Sequence, residues 1–249
     1  MAITVSITAG IGTIMAASDA GPLRHPLVAA AVTTAGLAII VAAGPRLAAE
    51  IAALPARSVL WDSYTQKDVP VTALLDAAAA LDTAGRIERG AVTEGERGYL
   101  LLQAANKAPA ADRKALLAAS ETATRNSLAA SPGNPSQWLR LAHLRDIQGD
   151  VGGTIMAWRL SVLTGSFEPV IMESRLRMGV RLMPWMDTDT AGLLPRQVRN
   201  TLQTAPGLIV ELADQPDTAA LVHSAMEKVT EQERLYYTRF HGGPPPNLP

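Results

Sequence analysis

Few residues in this sequence have the type and spacing to do chemistry. Four histidines, His25, His143, His223 and His241, are scattered along the chain. No two stand four positions apart, the spacing that sets two imidazoles on one helical face to hold a metal, so each is expected to be a surface or packing residue. The run Gly149-Asp150-Val151-Gly152-Gly153-Thr154 has the glycine density of a phosphate loop. It lacks that motif's lysine and follows a helical pattern instead of a strand, which leaves a turn between helices as its reading. No GxSxG elbow occurs, and the acidic residues form no recognisable pair. The absence of cysteine removes thiolate nucleophiles, zinc–thiolate sites and disulfides together, while leaving the redox compartment open. The expectation is a non-enzymatic chain with no catalytic residue, no metal and no cofactor.

Arginine supplies the one concentration of charge. Arg175, Arg177 and Arg181 are followed by Arg196 and Arg199 on consecutive expected helices. Two readings stand. One is a solvated face on which Glu173 pairs with Arg177 at i,i+4. The other is a groove that binds an anion or a protein partner, with Arg140, Arg145 and Arg175 as candidate contacts. A formal net charge of -1 with both signs interspersed leaves no basic stripe, so nucleic acid is excluded as a partner.

The elements that must position these residues read as helices throughout. Ala and Leu dominate an apolar fraction of 48%, and aromatics are only 4%, which favours close helix packing in an all-α fold. From Ser131 to Pro169 two amphipathic helices recur at a fixed spacing. Pro135 and Ser136 open the first; Trp138, Leu141, Ala142 and Leu144 form its apolar face; Gly149-Asp150 breaks it; Ile155, Trp158, Ser161 and Val162 face back from the second. Before this pair, Val71 to Ala84 is expected as a helix with Thr72 as N-cap, Gly85 as its stop and Leu74, Leu75, Ala78 and Leu81 on one face. A helix is expected from Thr93 toward Asn106, with Glu96 completing a capping box and Tyr99, Leu100, Leu102 and Gln103 along it, and another from Ala110 to Ala130 with Asp112 in its first turn. After the pair come Leu193 to Gln203, Gly207 to Ala213, and one long helix from Asp217 to about Phe240 with Val222, Met226, Val229 and Tyr236 on one side.

Between Pro26 and Pro45 the sequence carries no charge, and it is flanked by Arg24-His25 and by Arg46. A helix there is ~27–30 Å long, about the thickness of a bilayer's hydrocarbon core. It is apolar on every face, which argues against a core helix, and some two dozen residues precede it, which argues against a signal peptide cut after Val41-Ala42-Ala43. The first residues, also uncharged, leave open a second short span or a leader. Flanking charge is too sparse to settle orientation; with one span, Arg24 and His25 favour a cytoplasmic N-terminus and a periplasmic soluble domain. The expected organisation is therefore a leader (1–25), a transmembrane helix (26–45), a short helical continuation ending near Pro55 and then a linker (46–70 in all), a helical domain (71–240) and a disordered Pro-rich tail (241–249).

The sequence NPSQWLRLA…GD…AWRLSVLTG…EP, through Trp138, Leu141, Gly149, Ala157, Trp158 and Ser161, resembles a tetratricopeptide-type helical hairpin. With the preceding span it is similar to bacterial membrane-anchored proteins with degenerate tetratricopeptide units, some of which belong to cell-envelope or exopolysaccharide systems. A shift by the ~34-residue period sets Thr124 against Trp158 and Ser127 against Ser161, but Pro109 falls inside the matching first helix. A forward shift gives a stripe of Met172, Leu176, Val180 and Met183, and Pro195 interrupts the helix after it. The resemblance implies an array of antiparallel hairpins with one regular repeat between two degenerate ones, and a concave surface on which Arg140, Arg145 and Arg175 would meet a partner. The function it implies is a scaffold for protein–protein interaction at the bacterial inner membrane, in envelope assembly or polysaccharide export. The alternative is an accessory subunit of an inner-membrane complex, its anchor packed on partner helices through Ala, Gly and Thr.

Overall fold

The computed structural model describes residues 26–245. The leader with its second apolar segment, Arg24 and His25, and the tail from 246 onward lie outside the described residues. Among the described residues every regular element is helical: α1 (Pro26–Tyr64), α2 (Val71–Ile87), α3 (Ala91–Lys107), α4 (Ala110–Ala130), α5 (Pro135–Ile147), α6 (Val151–Thr164), α7 (Pro169–Leu182), α8 (Thr188–Ala191), α9 (Leu194–Leu202), α10 (Pro206–Ala213), α11 (Pro216–Met226) and α12 (Glu231–His241). A single 3₁₀ turn, Met183–Trp185, follows α7. The chain divides into two compact units, with the boundary between Ala48 and Ala49.

In the first unit the described part is the opening section of α1. Its large side chains, Val28, Val32, Leu37, Ile39, Ile40, Val41 and Leu47, are all exposed. The apolar window here has a mean hydropathy of 1.9 and none of it is buried, so α1 is long and apolar enough to cross a membrane.

The second unit begins with the remainder of α1. The helix does not end near Pro55, and the expected linker is helical as far as Tyr64. Ala53, Ala56 and Leu60 are buried there against α2 and α3, at the spacing of one helical face. Pro55 points to solvent. Tertiary packing thus outweighs the ~3 kcal/mol that proline costs inside a helix. Helix α2 also runs past Gly85, to Ile87, with Arg86 paired to Asp82 one turn earlier. Neither α2 nor α3 has the expected side-chain cap; Pro70 and Gly90 hold the N-cap positions. Glu96 turns instead to Arg57 on α1, at 2.8 Å. In α2 the buried stripe is Leu74, Ala77, Ala78, Leu81 and Ala84, while Leu75 is exposed.

Helices α3 and α4 approach closely because small residues line their seam. Ser120 Oγ donates to the Gly98 carbonyl at 2.7 Å, and Ser127 Oγ donates to the Ala91 carbonyl at 2.6 Å. A Cβ on Gly98 would stand 2.8 Å from Thr124 Oγ1 and 3.3 Å from the backbone of Ser120 and Thr124. Gly98→Ala is therefore expected to destabilise the domain: the overpacking cost of ~1–3 kcal/mol exceeds the ~1 kcal/mol that alanine gains over glycine within a helix. A urea midpoint at or above the parent's would show that the seam can open without cost.

Proline opens several later helices, where its missing N–H has no partner to lose. Pro135 stands in the first turn of α5, whose N-cap Asn134 accepts from the Ser136 and Gln137 amides. Pro109 is the N-cap of α4, and Pro195 lies in the first turn of α9. Gly149 closes α5 with φ +77°, the left-handed conformation that glycine takes without a Cβ clash. Ser161 Oγ, near the end of α6, donates to the carbonyl of Pro135 at the start of α5 at 2.7 Å, so the two helices run antiparallel. Trp158 is fully buried in the largest core cluster and donates through Nε1 to the Arg175 carbonyl at 2.8 Å. Trp138 packs at the edge of that cluster and donates to the Pro132 carbonyl at 2.7 Å.

The long helix expected from Asp217 is two. Helix α11 ends at Met226, and α12 restarts behind a capping box in which Thr230 and Glu233 satisfy each other's amides. His241, placed by the sequence reading in the tail, is the last residue of α12.

Candidate functional site

Helix α5 carries two of the candidate arginines, and their surroundings differ. Arg145 points toward α6 and lines an apolar cleft of about 460 Å³ with Leu128, Pro132, Trp138, Leu141 and Met156. It donates to the Gly153 carbonyl at 3.2 Å, while its buried Nε has no hydrogen-bond acceptor. Glu121 and Asp150 stand 3.9 Å away. Arg125, on α4, closes the same cleft and is held by Glu121. The arrangement is a mainly apolar cleft with two guanidinium groups in its lining, both within ion-pair distance of Glu121, suited to an apolar side chain whose neighbouring carboxylate takes over that pairing.

Arg140 is spent on the fold. It crosses to α3, donating to the Gly95 carbonyl and to Gln137 Oε1 at 2.8 Å, and lies 5.4 Å from the Tyr99 ring centroid. Burial lowers its pKa from the ordinary arginine value. Tyr99 stacks on Tyr64 at 4.8 Å, and its hydroxyl exchanges hydrogen bonds with Ser63. This assembly borders a second cleft, of about 480 Å³, lined by Tyr64, Gln66, Lys67, Asp68 and Lys107. Its charges are internally paired: Lys107 Nζ bonds Asp68 and the Val69 carbonyl, and Lys67 bonds Asp62. Gln66 holds a left-handed φ of +59° at the turn that ends α1.

Arg175 is not on any partner-facing surface. It is completely buried, donates to the Gly165 carbonyl at 2.7 Å and approaches Gln197 Oε1 at 3.4 Å. Desolvation, partly offset by Glu168, holds its pKa down at about 10. Its neighbours in sequence take the solvated role. Arg177 bonds Glu173 as the i,i+4 spacing expects and also makes a bidentate pair with Glu211 at 3.0 Å; Arg181 grips Asp146 at 2.7–2.9 Å. Of the three candidates, the structure thus leaves Arg145 at an open cleft and uses Arg140 and Arg175 internally.

The chain matches no family model, no curated protein and no solved structure. What the cleft can do is therefore read from its own chemistry. Arg125 and Met156, which complete it, went unnoticed in the sequence, although Met156 alternates with Ile155 at the start of α6 where an inward and an outward apolar residue adjoin. His143 and His223 lie on α5 and α11 and His241 ends α12, and among the described residues no three metal-ligating side chains converge.

Proposed function

We propose that this is a membrane-anchored helical scaffold that captures protein partners through its soluble helices. The observation that carries the reading is the opening section of α1, a membrane's length of helix with every described large side chain exposed. In water such a surface has no stable place. The α5–α6 pair, of 13 and 14 residues joined by a glycine-closed turn, supports the tetratricopeptide-like reading for that unit. Helices α8 to α11, of 4 to 11 residues, are too short for regular repeats of that kind, which limits the likeness to the centre of the chain. The resemblance to envelope and exopolysaccharide proteins makes the bacterial inner membrane, with a periplasmic domain, the setting to test first.

The cleft beside Arg145 is the partner site of this reading, and its partner bears an apolar side chain next to acidic groups. Arg125→Glu and Met156→Glu alter residues with 58% and 59% exposure, so the fold should tolerate both. The double variant is expected to lose most of the partner recovered by affinity purification from detergent-solubilised membranes, and parental capture should weaken with salt, since exposed charges are screened beyond ~8–10 Å at physiological ionic strength. Equal recovery in both proteins at both salt concentrations would remove the cleft from the reading. A second reading, an accessory subunit, draws on Gly36 and Gly44, beside which α1 has open space for a closely packed helix. It expects co-purification in fixed stoichiometry that salt does not disturb.

A further inference from the structure

The second unit covers one side of its own section of α1 and leaves the opposite side bare. With Ile51 written as heptad position a and Leu54 as d, the residues packed on α2 and α3, Ala52, Ala53, Ala56, Val59 and Leu60, fall at b, c and f. The a, d and g positions from Glu50 to Trp61 are exposed without exception. The middle of the a/d pair lies across the helix from the middle of b, c and f, so the helices that bury one face cannot reach the other. Ile51, Leu54 and Trp61, at a, d and d, are 57%, 62% and 66% exposed. These are three large apolar side chains along one line of a helix in a part of the chain that also carries Glu50, Arg57 and Asp62. The sequence before them keeps the same alternation of three and four, with Leu37, Ile40, Gly44 and Leu47 falling at a, d, a and d.

We propose that a second copy of this chain covers that face, the two α1 helices pairing in parallel and in register. An a/d seam is self-complementary: in register each residue meets its own equivalent, as a two-fold interface requires. The flanking charges fit the same pairing. Arg57 stands at g and Asp62 at the e position of the next heptad, the two positions that face each other across a parallel pair, and Glu50 at g meets the uncharged Pro55. An antiparallel or shifted pairing loses that match. Within one chain Arg57 already holds Glu50 and Glu96, and Asp62 holds Lys67, so the charges specify register more than they add affinity. Two heptads in water are too short to hold free chains together. Anchoring supplies the remainder by fixing a common direction and raising the effective concentration in the membrane plane; in this the proposal rests on the membrane reading.

Because the chain has no cysteine, single substitutions report the seam cleanly. The full-length protein in its native membranes is oxidised with cysteine placed singly at Ile51, Leu54, Ser58 or Trp61, and at the exposed Asp76 on α2 as a measure of random collision. The expected result is a disulfide-linked species of twice the chain's mass at all four seam positions, roughly tenfold above the Asp76→Cys level, as the effective concentration of a paired seam requires. Adding Leu54→Glu to Ser58→Cys should return the yield to the collision level without moving the domain's melting temperature. Yields at the seam equal to that of Asp76→Cys would overturn the proposal, as would an adduct of any other mass, which would assign the face to a different protein. Carbonate washing of the same membranes reads the anchor separately. A chain that stays in the pellet without seam cross-links defeats the pairing alone, and a chain that is washed off yet still cross-links at the seam defeats the anchor and the part assigned to it while upholding the seam.

Discussion

Trp158→Ala is expected to lower the stability of the helical domain by about 3–5 kcal/mol, the range for removing a large buried ring. Three features put it at the upper end. The side chain has no exposure and lies within the largest core cluster, between α6 and α7. Gly179 on α7 has no Cβ because the ring occupies that space; one built there would meet Trp158 Cζ2 at 2.6 Å and Leu194 Cδ2 at 2.8 Å. The surroundings are thus shaped around the indole and can collapse only partly into the cavity. The substitution also removes the Nε1 bond to the Arg175 carbonyl inside the core, a further ~0.5–1.5 kcal/mol for a carbonyl that keeps its partner in the α7 ladder. A 5–15 kcal/mol domain does not absorb such a loss without a large fall in its denaturant midpoint. Trp158→Phe, which keeps most of the area but not the donor, should lie between alanine and the parent. An unchanged midpoint for the alanine variant would mean that the ring is not packed as described.

Trp158 was legible in the sequence because its apolar neighbours recur at helical spacing. Arg175 was not, and the comparison explains where such reading stops. Arg175 and Arg177 are two positions apart, about 200° around a helix, so the same chain places them on opposite sides. Met172, Leu176 and Gly179 mark the inward side, and Arg175 lies next to Leu176 on it; composition drew both arginines to the surface, whereas phase separates them. The helical character of the chain and the bounds of α4 were fixed by local signals alone, since Ala110–Ala130 is bracketed by Pro109 and by the Ser131–Asn134 turn. The course of α1 past Pro55 depends on Ala53, Ala56 and Leu60 finding α2 and α3, contacts that no local window contains. The break between α11 and α12 was readable, because Thr230 and Glu233 have the spacing of a capping box, but the apolar stripe on either side masked it. The cleft at Arg145 combines α4, α5 and α6, and Arg125 stands 20 positions before Arg145, so only the fold brings them to one place.

Arginine at both Ala38 and Ile40 is expected to release the protein from the membrane. Each lies in the exposed, uncharged section of α1, near the midpoint between the start of the helix and Arg46. An arginine at the centre of a spanning helix costs ~2.5–3.5 kcal/mol on the insertion scale, so the pair removes about 5–7 kcal/mol from a segment whose favourable residues, Leu, Ile and Val, contribute only ~0.3–0.6 kcal/mol each. No side chain of the second unit takes part, so a soluble variant should keep the melting temperature of that unit. Snorkelling relieves the arginine at position 40, six residues before Arg46, more than the one at position 38, so the lower end of that cost applies to the pair. The reading is made by carbonate extraction: the parent should remain in the pellet and the double variant should move to the supernatant. A parent found in the supernatant would remove the anchor, and with it the scaffold reading that depends on it. A parent that pellets but has lost the residues before Gly44 would show that the segment is cleaved after Val41-Ala42-Ala43, and the hold on the membrane would then have to come from the apolar face of α1 at Leu47, Ile51 and Leu54.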